Sequence, residues 1–161
     1  MAGIFRPSPS LHNHGMSTTT GRCLCKAVEF AYEGEPNWTL NCHCEDCRRA
    51  VSAPMATWIS VPKSRFRFTA GAPSYYASSK GVRRGFCGRC GSPLTYENEV
   101  LPDEIHVLAG ALSDPSGVKP SAHIVVKEQL PWFDAADDLP RYEKWRKNAQ
   151  PVRHGPRKGK P

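Results

Sequence analysis

The sequence predicts a mainly-β domain, an antiparallel sandwich or barrel of many short strands, on three observations. Apolar residues recur at every second position in short runs, turn-forming Gly, Pro, Asp and Ser clusters separate those runs, and only two stretches carry a helical pattern. In chain order, Val28, Phe30 and Tyr32 alternate with Ala27, Glu29 and Ala31, and Trp38, Leu40 and Cys42 form a second alternating set. Further strands are predicted at 55–61, 65–69, 82–86, 93–97 and 105–109, followed by 123–127. Pro62, Gly-Ala-Pro at 71–73 and Asp-Pro-Ser-Gly at 114–117 supply the breaks. The two helical stretches are a turn after Cys44 and residues 141–149, where Tyr142 and Trp145 share a face. No internal repeat is visible.

At 161 residues the chain suffices for one domain with a real core, and 39% hydrophobic against 23% charged residues argues against global disorder. No apolar run approaches the roughly 18–20 residues that span a bilayer. Residues 1–17 read as a disordered lead-in, the stretch 1–20 being rich in Pro, Ser, Thr, His and Asn, without the apolar segment of a signal peptide, and Met16 is a second candidate start. The folded domain is expected over 18–140, with a basic tail at 141–161. That tail holds eight basic residues and one acid, which accounts for the whole net charge of +7. It reads as a solvated terminus, making at most weak, salt-sensitive contact with a polyanion. The expected compartment is the cytoplasm, where thiols stay reduced and grouped cysteines read as metal ligands rather than disulfides.

The seven cysteines fall into three groups: Cys23 and Cys25; Cys42, Cys44 and Cys47; Cys87 and Cys90. On an extended strand Cys23 and Cys25 would send both sulfurs from one face. Cys87-Gly-Arg-Cys90-Gly91 has the spacing of a metal knuckle, with glycines relieving the tight backbone. These two pairs together make a closed four-cysteine site of the structural zinc type, though spacing alone equally allows Cys23 and Cys25 to join the middle group. Iron could occupy the same four sulfurs. The middle group offers three thiolates within six residues and no further cysteine to close a tetrahedron. Three protein ligands plus an exchangeable fourth position is the pattern of a catalytic zinc. The alternative is closure by a histidine, with His43, His106 or His123 as fourth ligand.

Several segments together resemble the glutathione-dependent formaldehyde-activating enzyme family, whose domain is shared with centromere protein V. They are Gly21-Arg-Cys-Leu-Cys25, Asn41-Cys-His-Cys-Glu-Asp-Cys-Arg-Arg49, Gly85-Phe-Cys-Gly-Arg-Cys-Gly-Ser-Pro-Leu94, Ala122-His-Ile and Leu130-Pro-Trp132, within about residues 18–140. The resemblance implies a tent-like pair of antiparallel sheets and two zinc ions. It assigns Cys23, Cys25, Cys87 and Cys90 to the structural ion and Cys42, Cys44 and Cys47 to the catalytic one. It further implies a carbon–sulfur lyase activity that joins formaldehyde to the glutathione thiol. One departure stands out: Lys26 occupies a position where the family usually has glycine.

Zinc is thiophilic and redox-inert, so the open site suits thiolate delivery to an aldehyde carbonyl better than water activation. A thiol-binding carrier or sensor and a centromere protein V-like interaction module are the rival readings. Arg48 and Arg49 are candidates for substrate carboxylates or for ordinary salt bridges, and Asp46 for a ligand-supporting hydrogen bond or a turn cap. His123 reads as a proton carrier or a satisfied strand histidine. Trp58, Trp132, Phe66 and Phe68 read as core.

Overall fold

The computed structural model describes residues 17–144 and 150–157. Two sheets make up the domain. The smaller is antiparallel, in the order β1 (Thr18–Arg22), β2 (Glu29–Glu33), β5 (Phe66–Ala70). The larger is built from β3 (Trp38–Cys42), β4 (Ala56–Pro62), β6 (Ser74–Ser79), β7 (Val82–Phe86), β8 (Pro93–Asn98) and β9 (Glu104–Leu108), with β10 (His123–Ile124), β11 (Pro140–Tyr142) and β12 (Arg153–His154) beyond β3. Its order is β12-β11-β10-β3-β4-β9-β8-β7-β6. One α-helix, α1 (Glu45–Val51), follows β3. Among the described residues no helix is long and apolar enough to cross a membrane.

The large sheet buries both faces, and the period of two separates their roles. In β4 and β9, Ile59 stands opposite Val107 and Val61 opposite Ile105. These four pack with Phe30, Tyr32 and Leu94 into the core between the sheets. Fully burying side chains of this size contributes roughly 1.5–3 kcal/mol each. Ala56, Trp58 and Leu108 project to the other face, where they form a second cluster with Cys42 and Cys47. Gly21 allows β1 to close over the core, because a side chain there would collide with the Phe30 ring and the Ala111 carbonyl.

The structure revises four expectations. The large sheet is not purely antiparallel: β10 runs parallel to both β3 and β11. The strand expected over 123–127 ends after Ile124, because Val125 takes a left-handed backbone (φ 57°) and residues 126–128 coil into a 3-10 turn. The helix expected over 141–149 begins instead as strand β11, and residues 145–149 lie outside the described residues. Trp132 is not core but 71% exposed.

The boundary placed after residue 140 also runs through a strand. Arg141 is fully buried in β11. Its guanidinium donates to the carbonyls of Leu139 at 2.7 Å and Ala135 at 2.8 Å, and to Asp137 Oδ1 at 3.2 Å. Arg153 reaches Gln129, and Arg157 donates to the carbonyls of Leu130, Pro131 and Phe133. Three of the tail's cations are therefore committed to holding loop 129–137 against the sheet. Arg141→Met should destabilise the protein by about 3–5 kcal/mol, since it strands buried carbonyls and a carboxylate. Arg141→Lys should recover only part of that, because an ammonium lacks the planar fork. Urea unfolding midpoints check both.

Candidate metal centres and cleft

Extended geometry would not bring Cys23 and Cys25 together, since residues two apart on a strand are separated by roughly 6.6 Å. They sit instead in the turn between β1 and β2, closed by the Lys26 N–H on the Cys23 carbonyl at 3.2 Å, and their sulfurs lie 3.6 Å apart. Lys26 adopts φ 63°, the left-handed region that suits glycine and strains a side chain. Lys26→Gly should therefore raise stability by about 0.5–1 kcal/mol, measured as an increased denaturation midpoint.

Cys87 and Cys90 come from the β7–β8 connection. There the Gly91 N–H bonds the Cys87 carbonyl at 2.8 Å and Gly91 takes φ 77°. Cys25 and Cys87 sulfurs stand 3.7 Å apart, and the sulfurs of Cys23, Cys25, Cys87 and Cys90 all lie within 4.8 Å of one another. The Val28 N–H points at Cys23 Sγ at 3.3 Å and Ser92 Oγ lies 3.2 Å from Cys90 Sγ. The Ser92 contact leads in drawing the Cys90 thiol down to about 5.

The second cluster is local. Cys42 ends β3, Cys44 caps α1 and Cys47 lies in its first turn. Cys44 Sγ accepts the Cys47 N–H at 3.4 Å and lies 3.4 Å from Cys42 Sγ. Hydrogen bonds from Cys42 and Cys44 pull the Cys47 thiol down to about 3 against the opposing effect of burial, with help from the Arg84 charge. The same bonds and burial push Cys42 far up. Thiolates this close repel one another, and a divalent ion would offset that repulsion.

Both clusters fit zinc. Bonds of about 2.3 Å in a tetrahedron set sulfurs roughly 3.8 Å apart, close to the 3.4–3.7 Å contacts found here. Among the described residues, no histidine nitrogen joins either cluster.

His43, flanked by Cys42 and Cys44, is instead part of a buried line. Its Nε2 lies 2.8 Å from His123 Nδ1, and His123 Nε2 lies 3.0 Å from Asp137 Oδ2. A carboxylate only accepts, so His123 Nε2 carries the proton of that bond. His43 Nδ1 is buried without a partner among the described residues. Burial, reinforced by His123, pushes the His43 imidazole down to about 4, so it is neutral. Arg48 donates to the His43 carbonyl at 3.1 Å, and Arg49 makes an exposed ion pair with Glu45.

A cleft of about 310 Å³ opens beside Cys42, Cys44 and Cys47, walled by Trp38, Leu40, Trp58, Tyr96, His106 and Ile124. Trp58 is thus core and wall at once. His106 is held between Trp38 and Tyr96, with ring centroids at 4.5 and 5.4 Å, and its Nε2 contacts Glu104 at 3.2 Å. Phe66 and Phe68 pack against the inter-sheet core, away from this cleft.

The domain is a two-sheet, mainly-β fold with a four-cysteine and a three-cysteine cluster, each of which could hold a metal ion. The model of the family described as "Glutathione-dependent formaldehyde-activating enzyme" matches residues 18–128, and the chain belongs to that family. Membership supports a function of the glutathione-dependent formaldehyde-activating type in general. A crystal structure of a Rhodobacter sphaeroides protein is 25% identical, covering 63% of this chain and 91% of that one, with a TM-score of 0.48. No curated protein matches the chain.

Proposed function

We propose that this protein is a zinc-dependent carbon–sulfur lyase of the cytoplasm that joins a glutathione-like thiol to an aldehyde, formaldehyde being the family's substrate. One observation carries the reading: the three-cysteine cluster borders a cleft, whereas the four-cysteine cluster has a complete tetrahedral donor set. Cys42, Cys44 and Cys47 would hold the catalytic ion, and Cys23, Cys25, Cys87 and Cys90 the structural one. A zinc ion at the first set supplies, when bound, the positive charge that keeps a neighbouring thiol ionised at neutral pH.

The chain's own groups do the remainder. Trp38, Leu40, Trp58 and Ile124 present apolar surface that displaces water from the reacting atoms. The His43–His123–Asp137 line fixes the backbone between Cys42 and Cys44 from behind, as hydrogen-bonded supports of ligand segments do. In the reaction the sulfur adds to the carbonyl carbon, the C=O π pair moves to oxygen, and that oxygen takes up a proton. No oxidant is needed.

Stopped-flow measurement of glutathione–formaldehyde adduct formation tests the reading. Acceleration above the spontaneous rate, lost on chelation and restored by zinc, is the expected result. Glutathione binding without acceleration would instead make the protein a thiol carrier.

A further inference from the structure

Arg83 and Arg84 are neighbours on β7 that face opposite sides of the sheet, and only one of them has a carboxylate. Arg83 donates twice to Glu97, at 3.0 Å each. Arg84 forms no ion pair among the described residues. Its Nε donates to Ser78 Oγ at 3.2 Å, and its guanidinium lies 5.0 Å from the Tyr96 ring centroid. These two contacts orient the fork. Nη1 is nevertheless buried without an acceptor. A buried, oriented donor left without an acceptor is costly, and a ligand carboxylate placed there would be held by a charge-assisted bond.

Its location says which ligand. Arg84 lines the cleft beside the three-cysteine cluster and also a second cleft of about 470 Å³ that runs past Tyr76, Ser78 and Val51. Trp58 and Asp46 are likewise shared by both, so the two clefts adjoin along Arg84. Asp46 does not neutralise it. We infer that Arg84 anchors a carboxylate of the thiol substrate, with the second cleft receiving the arm that bears it. This rests on the thiol-binding reading above.

Calorimetry with S-methylglutathione tests the anchor separately from catalysis, because that probe keeps its carboxylates and cannot react. Wild-type, zinc-loaded protein should bind it about 10- to 100-fold more tightly than Arg84→Gln does, the range for a lost charge-assisted hydrogen bond. Arg84→Lys should fall between. The diethyl ester of the same probe should bind wild type more weakly by a similar factor, and Arg84→Gln should no longer prefer acid over ester. Equal affinity of wild type for acid and ester, equal affinity of wild type and Arg84→Gln for the acid, or no binding of S-methylglutathione by wild type would each overturn the inference. The ester comparison needs no variant, so a failure of Arg84→Gln to fold leaves the question decidable. If adduct formation is not accelerated but the acid–ester difference persists, the catalytic reading fails and the anchor stands.

Discussion

Cys87→Ser or Cys90→Ser is expected to leave little soluble protein. The four-cysteine cluster joins the β1–β2 turn, which belongs to the small sheet, to the β7–β8 connection of the large one. Cys23 and Cys87 are both 1% exposed and are packed into the inter-sheet core, so an ion held there would rivet the two layers together. Structural zinc contributes roughly 10–16 kcal/mol in small peptides, whereas a domain's net stability is roughly 5–15 kcal/mol. Losing one of four sulfurs removes much of the first quantity and can exhaust the second. Soluble yield and thermal unfolding with and without chelator measure this, and a Cys87→Ser variant as soluble and as thermally stable as wild type would contradict it.

Cys44→Ser should behave in the opposite way, folding normally and losing activity by at least about 10³-fold. Serine is a good helix cap, so Oγ can take over the bond that Cys44 Sγ accepts from the Cys47 N–H and α1 should persist. The missing ligand should cost more than the 10–100-fold typical of losing a group that merely supports one. Elemental analysis should find close to two zinc ions in wild type and one in this variant. In cobalt-substituted wild type, glutathione should strengthen sulfur-to-metal charge transfer and S-methylglutathione should not. Two retained zinc ions in Cys44→Ser, or a cobalt spectrum indifferent to free thiols, would remove the open-site reading.

Much of the fold was legible because short strands with one apolar face leave a period of two. Residues 82–86 match β7 as predicted, and β3, β4, β5, β8 and β9 agree within a residue or so at either end. Strand β6 went unread because its face is largely exposed; Ser74, Tyr75 and Tyr76 carry no buried side to alternate. β11 and β12 were invisible for another reason: Arg141 is buried against its acceptors Ala135, Asp137 and Leu139, and a buried arginine in a basic segment looks like any solvated one.

The metal ligands were legible as groups, since C-x-C and C-x-x-C spacings are local. Their pairing was not, because it is topology that brings residue 25 to within 3.7 Å of residue 87. The extended geometry assumed for Cys23 and Cys25 failed for want of the turn at Lys26. His43 and His123 are 80 residues apart, and Arg84 differs from Arg83 only in which side of β7 it faces. Neither relation leaves a trace in sequence spacing.

The two clusters also differ in how far along the chain their ligands are spread, and this bears on the order in which a new polypeptide acquires metal. Cys42, Cys44 and Cys47 lie within a single short peptide, so they can grip an ion before any sheet exists. Binding to the unfolded chain as well as the folded one means that this ion contributes little to the folding equilibrium. Cys23 and Cys90 enclose most of the strand-forming sequence between them, and in a loop-closure picture joining such ends costs an unfolded chain about 4 kcal/mol. A growing chain can present the first set once residue 47 has left the ribosome. The second exists only after residue 90 has emerged and the first hairpin has found its partner strands, so an ion captured there reports a completed fold.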